Sequence, residues 1–468
     1  MTTERSLSNP LLTGAILPTL LRLSVPNVLS MTMAVLVGVA ETYYIGVLGI
    51  TPLAAMALVF PFAMLTGMLS GGAMGGGVSS AISRALGAGD LPRAQAIAMH
   101  AVVIGGLAGA IYTIVFLTFG PAFYRLLGGF GAVLKEAVGY SNVLFSGAIL
   151  VWLNNTLASI LRGTGNMRVP SLTVFITALL QILFGGALGL GVGAVPRFGM
   201  TGVALGHIVA MATGVVFLLW YLRGGRGRLR LSFKSISLKH EIFTDILKVG
   251  ALACVSPLQS VLTILIFTGF VARIGVKPLA GYGIGQRLEF ILIPITFGIG
   301  VAAVPMVGMA IGAGNVIRAR RVAWTAGVLA AFNLGVIGGL VSIAPDLWGT
   351  NFTDDAGVLE YTRQYLRWAG PAFAFYGLGL ALFFAAQGSG KILGPVLAGT
   401  LRLALVAGVG AWLASRSAPA GHFFALIGIA MTVFGISVAL ALRFTSWNPA
   451  VALDAGHIGR NPSARHGY

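Results

Sequence analysis

The sequence predicts an all-α membrane protein with twelve transmembrane helices, arranged as two six-helix lobes related by pseudo-symmetry. The first observation is the composition: hydrophobic residues make up 57% of the 468 residues and charged residues only 9%, whereas soluble domains carry roughly 25% charged residues. The second is the set of long uncharged runs, such as 53–83 and 169–195, because roughly 20 apolar residues cross a bilayer as a helix. The third is an internal repeat.

The apolar runs recur along the whole chain and do not alternate as the strands of a transmembrane barrel would. Most are separated by glycine and proline, as in the segment 49–52 and at Gly120-Pro121. One long polar segment divides the chain, so we expect an N-lobe at 1–222, a basic linker at 223–242, a C-lobe at 243–443 and a tail at 444–468. The predicted spans are 20–48, 53–83, 95–119, 138–161, 169–195, 199–222, 245–272, 278–311, 322–345, 363–387, 392–415 and 420–443.

Basic residues predict the orientation. The formal net charge is +18, and the positive residues cluster in alternate loops, which indicates the positive-inside rule rather than a nucleic-acid site. The largest cluster lies in the linker and consists of Arg223, Arg226, Arg228, Arg230, Lys234 and Lys239. We therefore expect a protein of the bacterial inner membrane with both termini in the cytoplasm. We expect it to be a monomer, with the lipid bilayer and a small-molecule substrate as its partners.

Three landmarks of the first half return in the second half. The segment 49–54 (Gly-Ile-Thr-Pro-Leu-Ala) returns at 275–280, an offset of 226 residues. The segments 87–94 and 162–170 return at 312–319 and 387–395, each at an offset of 225 residues. Three landmarks in order at a near-constant offset indicate a duplication. Because each half has six spans, the halves insert as parallel repeats, whose sites lie near the midplane beside the interface between them.

These landmarks resemble the multidrug and toxin extrusion (MATE) transporters over nearly all of residues 20–443. The resemblance rests on Gly-Ala-Gly-Asp/Asn…Arg-Ala after spans two and eight, and on Arg-Gly-Thr-Gly-Asn…Pro after span four. It also rests on an acid in span one followed by Gly-Val-Leu-Gly at 46–49. The resemblance implies antiport, in which a drug or toxin leaves as H⁺ or Na⁺ enters, with no cofactor.

Two acids, Glu41 and Glu289, lie inside apolar runs, whereas the other ten lie in loops, tails or span ends. An ionisable group at membrane depth costs at least roughly 2.5–3.5 kcal/mol and usually serves function. Glu41 would accept a proton or hold a monovalent cation through its oxygens, which would be the only metal site. The alternative is a structural acid, capped near the outer surface. MATE proteins usually have Asp here, so Glu41 departs from the family.

Many MATE proteins pair this acid with Asn and Asp in span five, where this chain reads Gln-Ile-Leu-Phe-Gly at 181–185. Gln181 is therefore a candidate hydrogen-bond partner of Glu41. The missing Asp favours protons over sodium as the coupling ion. On a helix, Arg287 and Glu289 point about 200° apart, because they are two residues apart. We therefore expect Glu289 to contact Arg402, either as part of the coupling or as a static ion pair.

Further polar residues are candidates for the transport pathway. His100 and His207 would either relay protons or act as packed hydrogen-bonding groups. The candidate substrate-binding residues are Tyr43, Tyr44, Asn154, Asn155 and Gln259. The single cysteine, Cys254, excludes a disulfide within the chain.

The sequence predicts a secondary active antiporter that exports amphiphilic or cationic organic compounds, not an enzyme. Gly390-Lys391 lacks the remainder of a phosphate-binding loop. A lipid-linked saccharide flippase is an alternative, although its pyrophosphate would need several deep basic groups, and a passive channel is a second. The halves differ at the acids: Glu41 corresponds to Phe267, and Glu289 to Ala63 or Met64.

Overall fold

The structure is a computed structural model that describes residues 10–193, 195–231 and 238–447. Eleven helices in these ranges are long and apolar enough to cross a membrane, and one bent pair of helices brings the number to twelve. This confirms the predicted all-α membrane fold. The helices are α1 (Ile16–Leu48), α2 (Ile50–Gly87), α3 (Leu91–Leu126), α4 (Gly131–Ser146 and Ala148–Gly163, bent by 42°), α5 (Arg168–Leu190), α6 (Gly199–Arg223), α7 (His240–Ile274), α8 (Val276–Gly312), α9 (Val316–Ile343), α10 (Ala356–Ser389), α11 (Leu393–Ser415) and α12 (Ala420–Phe444).

Most helices extend a few residues beyond the predicted spans at one or both ends. Helix α3 begins at the Asp90 cap and continues through Pro121 to Leu126, so the predicted break at Gly120-Pro121 is wrong. Helix α7 begins at His240, inside the segment predicted as linker. Lys234 and nearly all of the predicted tail lie outside the described residues.

The three landmarks fold into equivalent turns in the two halves. Gly49 and Gly275 both have positive φ values, 130° and 154°. In the second landmark, Asp90 and Asn315 each accept a hydrogen bond at 2.9 Å from the backbone N–H three residues later, which caps the following helix. In the third landmark, Gly165 and Gly390 have φ values of 85° and 78°. The sequence repeat is therefore also a repeat of local backbone structure.

Each lobe packs mainly within itself. In the N-lobe, α5 packs against α1 and α6, and α3 packs against α4. In the C-lobe, α10 packs against α8, α9 and α12. The lobes meet at the side of the molecule that carries the linker, which we call the linker side. There a Cβ on Gly87 would lie 2.2 Å from the Met309 carbonyl oxygen, and one on Gly77 would lie 2.7 Å from Gly250.

Polar contacts also join the lobes at the linker side. The Ser80 hydroxyl of α2 donates to the Gln387 carbonyl of α10, and Arg84 of α2 forms an ion pair with Asp245 of α7. The half of α2 on the opposite side, Ile50–Gly67, makes its principal contacts with N-lobe helices. The contact between the lobes is therefore concentrated at the linker side.

Candidate functional site

The Glu41 site lies between α1 and α5 in the N-lobe. The Gln181 side chain donates a hydrogen bond from Nε2 to Glu41 Oε1 at 2.6 Å. This is the partner expected from the sequence. The buried Tyr140 of α4 lies near Glu41. Within the described ranges, no Lys, Arg or His side chain forms an ion pair with Glu41.

This geometry gives the Glu41 carboxyl two chemical states. As a carboxylate, it accepts the N–H of Gln181, and that amide is the only side-chain donor recorded for it in the described part of the chain. A carboxylic acid instead has an O–H to donate, and a rotated Gln181 amide offers a carbonyl acceptor. The neutral amide therefore serves either protonation state without supplying a fixed charge.

The Glu289 site lies in the C-lobe, and its hydrogen-bonding group differs from that of the Glu41 site. The Tyr365 hydroxyl of α10 donates a hydrogen bond to Glu289 Oε1 of α8. The ring of Tyr365 is fully buried and lies edge-on to the ring of Tyr282, with centroids 5.4 Å apart. Glu289 is therefore held by a phenol in an aromatic environment. Tyr365 was missed in the sequence analysis, because a tyrosine among the apolar residues of span ten gives no signal of its own.

The expected contact between Glu289 and Arg402 does not form as an ion pair within 4.0 Å in the described residues. The two groups interact electrostatically over a longer distance. Arg402 instead donates a hydrogen bond to Ser260 of α7 at 3.2 Å. As expected, Arg287 does not pair with Glu289. Its guanidinium lies 5.5 Å from the ring centroid of Phe352, near the end of α8 that faces away from the linker.

The two adjacent asparagines of α4 lie in the N-lobe interior. The Asn155 side chain donates to the Ser70 hydroxyl at 2.8 Å. Ser70 belongs to a π-helical turn of α2, Met68–Met74, at which the regular helix is interrupted. Asn154 is 5% exposed, and its Oδ1 is buried with no hydrogen-bond partner in the part of the chain that the structure describes. The sequence analysis missed Ser70, although the glycine-rich stretch around it was a visible signal of an irregular helix.

The remaining candidate lining residues divide into packed and exposed groups. The Tyr44 hydroxyl donates to the Ile182 carbonyl of α5 at 3.2 Å, next to the Glu41 site. Tyr43 is 66% exposed. Gln259 is buried between α7 and α11, where its Nε2 donates to the Thr400 hydroxyl at 2.7 Å. Gln259 therefore contributes to packing within the C-lobe.

The two histidines differ in their surroundings. His100 is buried, its Nδ1 lies 2.7 Å from the Ala96 carbonyl oxygen, and its Nε2 accepts a hydrogen bond from the Lys239 backbone N–H at 2.9 Å. It therefore acts as a packed hydrogen-bonding group that fixes the start of α7 to α3. His207 on α6 is only partly buried. No group of three or more His, Cys, Asp or Glu residues that could hold a metal ion is found in the described ranges.

Twelve spans in two related lobes, with one partly buried acid inside a membrane-spanning helix of each lobe, define the architecture of a two-lobed membrane transporter. The MatE family model matches the chain twice, over residues 26–186 and 252–413. The chain therefore belongs to the MatE family. The two matches begin 226 residues apart, which is the offset of the first landmark and confirms the repeat.

Several curated proteins are similar to this chain. The probable multidrug resistance protein NorM of Thermotoga maritima is 26% identical over 323 residues, which cover 68% of each chain. The multidrug export protein MepA of Staphylococcus aureus is 24% identical over 394 residues, which cover 83% of this chain and 85% of MepA. An FAD transporter of Shewanella oneidensis is 23% identical over 311 residues, which cover 66% of this chain and 69% of that protein.

Solved structures share the fold. A MOP superfamily transporter from Pyrococcus furiosus superposes with a TM-score of 0.84 at 24% identity, covering 93% of this chain and 97% of that one. A multidrug resistance MATE transporter in an outward-facing conformation superposes with a TM-score of 0.81 at 23% identity, covering 93% and 96% of the two chains. These matches support the two-lobed helical architecture.

Proposed function

We propose that this chain is a secondary active antiporter that exports amphiphilic or cationic organic compounds in exchange for an inward flow of ions. The observation that carries the proposal is the Glu41 carboxyl, which lies inside a membrane-spanning helix with the neutral amide of Gln181 as its hydrogen-bond partner. Ionisable residues inside transmembrane helices usually mark a substrate or ion pathway. The names of the NorM and MepA relatives support the substrate class.

The coupling ion in this proposal is H⁺. Sodium prefers several oxygen ligands, as hard cations do. No second carboxylate stands beside Glu41 in span five. A proton needs only the carboxyl itself. The transported ion is cargo, so the proposal includes no resident cofactor.

Transport would proceed by alternating access between the two lobes. The contacts between Gly87 and Met309 and between Arg84 and Asp245 close the linker side, which supports an outward-open state if the linker is cytoplasmic. The basic linker supports that orientation by the positive-inside rule. We place the protein in the bacterial inner membrane as a monomer with both termini in the cytoplasm. Protonation of Glu41 from outside would then favour substrate release and closure.

A flux assay in proteoliposomes tests the proposal. The rate of efflux of a fluorescent organic cation is expected to increase with an imposed pH gradient and to be unchanged by an imposed sodium gradient. Glu41→Gln is expected to slow this efflux at least about tenfold, the scale of a lost coupling group. Glu136→Gln, an exposed acid of α4, is the matched control and should transport normally. Full efflux by Glu41→Gln at normal expression would overturn the proposed role of Glu41, and flux without any gradient dependence would indicate a channel.

A further inference from the structure

The C-lobe contains a buried arginine without a counter-ion at contact distance. Arg402 lies near the middle of α11, a helix of 23 residues, and is only 7% exposed. In the described part of the chain, no carboxylate lies within 4.0 Å of its guanidinium. Glu289 acts on it only over a longer distance and has Tyr365 as its own hydrogen-bond partner. Buried charges are normally paired, so this arrangement needs an explanation.

The hydrogen bonds of Arg402 are also incomplete. Its guanidinium has five N–H donors, and the recorded hydrogen bond is from Nη2 to the Ser260 hydroxyl at 3.2 Å. The Nε–H is buried and has no hydrogen-bond partner among the described residues. An arginine that only held the lobe together would be expected to satisfy these donors within the fold. The free donors of Arg402 therefore fit a planar acceptor that is not part of the C-lobe.

The surroundings of Arg402 suit an aromatic or amphiphilic ligand. The guanidinium carbon lies 5.5 Å from the ring centroid of Tyr376 on α10 and 5.2 Å from that of Phe434 on α12. These two ring centroids are 5.9 Å apart. The rings stabilise the guanidinium through cation–π interactions and make its surroundings apolar. Its position near the middle of the helix is the depth at which parallel-repeat transporters bind their substrates.

We propose that Arg402 binds a carboxylate group of the exported substrate, so that the transporter selects amphiphilic compounds that carry a carboxylate. This inference rests on the proposed export function and specifies its substrate class. The guanidinium fork matches a carboxylate through two parallel hydrogen bonds. A pyrophosphate fits less well, because one arginine with one serine offers too few donors and too little positive charge for two phosphates.

Binding to the purified full-length protein tests this inference without any gradient. The probes are a xanthene dye with a free carboxylate and the methyl ester of the same dye, which keeps the ring system and loses the anion. Fluorescence polarisation is expected to give the acid an affinity about tenfold higher than the ester, the discrimination expected from one charge-assisted pair. Equal affinities of the wild-type protein for acid and ester would overturn the inference.

Variants assign the discrimination to Arg402. Arg402→Gln is expected to bind acid and ester equally. Arg402→Lys is expected to keep part of the preference for the acid, because lysine retains the positive charge but lacks the two parallel N–H donors of a guanidinium. Arg416→Gln is the matched control, since Arg416 is an exposed arginine at the C-cap of the same helix, beside the ring of Trp412. A preference for the acid that survives in Arg402→Gln would contradict the inference. If Arg402→Gln fails to fold, the affinities of the wild-type protein and of Arg402→Lys for acid and ester still test the inference.

The same measurements separate this inference from the proposed function. A higher affinity for the acid than for the ester, together with a flux that does not depend on a pH gradient, would support the Arg402 site and contradict proton antiport. Gradient-driven flux of acid and ester at equal rates, with equal binding, would support antiport and contradict the Arg402 site.

Discussion

The guanidinium of Arg84 on α2 lies 2.8 Å from the Asp245 carboxylate on α7, and this ion pair joins the two lobes at the linker side. Asp245 also pairs with Arg93 at 3.3 Å. The side chains of Arg84 and Asp245 are 18% and 29% exposed, so the pair is only partly screened by solvent. Because its members belong to different lobes, it can form only when the linker side is closed.

Loss of this pair should shift the protein away from the closed linker side. Asp245→Asn removes the charge that holds Arg84 and Arg93. A cost of about 1 kcal/mol for a partly exposed pair corresponds to a roughly fivefold change in the ratio of the two states. Double electron–electron resonance between spin labels at Ala88 and Ala313, in a Cys254→Ser background, measures the distance between the lobes at the linker side. Asp245→Asn should show a larger population of long distances than the protein that retains Asp245.

The matched control for this experiment is Asp355→Asn. Asp355 pairs with Lys277 at 3.1 Å, but both residues are exposed and lie within the C-lobe. This variant should leave the distances between the lobes unchanged. Unchanged distances in Asp245→Asn as well would show that the ion pair has no part in closing the linker side.

The amide of Gln181 should be required for coupling and dispensable for folding. Gln181→Leu keeps a similar volume and leaves Glu41 without its hydrogen bond of 2.6 Å. Loss of a hydrogen bond to an ionised group costs about 1.5–3 kcal/mol, so efflux driven by a pH gradient should fall at least about tenfold. The control is Gln364→Leu on α10, whose amide donates to Glu360 near the membrane surface. Normal coupled efflux by Gln181→Leu would refute this role.

The glycines at the contact between the lobes should be sensitive to a single methyl group. A Cβ on Gly312 would lie 2.0 Å from the Arg84 carbonyl oxygen, and one on Gly87 would lie 2.2 Å from the Met309 carbonyl oxygen. Both neighbours are backbone, so the lobes must separate to make room, at about 1–3 kcal/mol for overpacking. Gly87→Ala should therefore increase the long distances between labels at Ala88 and Ala313. Gly106→Ala on α3 has nothing within 4 Å of its new methyl group and should have no such effect.

Interactions between residues close in the chain were predictable from the sequence, whereas contacts between distant helices mostly were not. The landmark turns were predictable because a glycine and an Asp or Asn cap act on the next few residues, as Asp90 and Asn315 do. The position of Gln181 opposite Glu41 was inferred by resemblance to the family. The Glu289 site was not predictable, because it depends on which residue of α10 faces α8. Tyr365 occupies that position, and Arg402 turns towards Ser260 instead.

The hydrogen bond between His100 and the Lys239 backbone should hold the end of the basic linker against α3. The His100 ring is buried, and its Nε2 accepts the Lys239 N–H at 2.9 Å. His100→Ala removes this bond and the edge-on contact with the Phe243 ring at 4.7 Å. Loss of about 1 kcal/mol of local stability should raise the rate of local opening roughly fivefold. Limited trypsin digestion should therefore cleave the linker faster in His100→Ala. His422→Ala, at an exposed position of α12, should be cleaved at the wild-type rate, and equal rates in all three proteins would show that His100 does not restrain the linker.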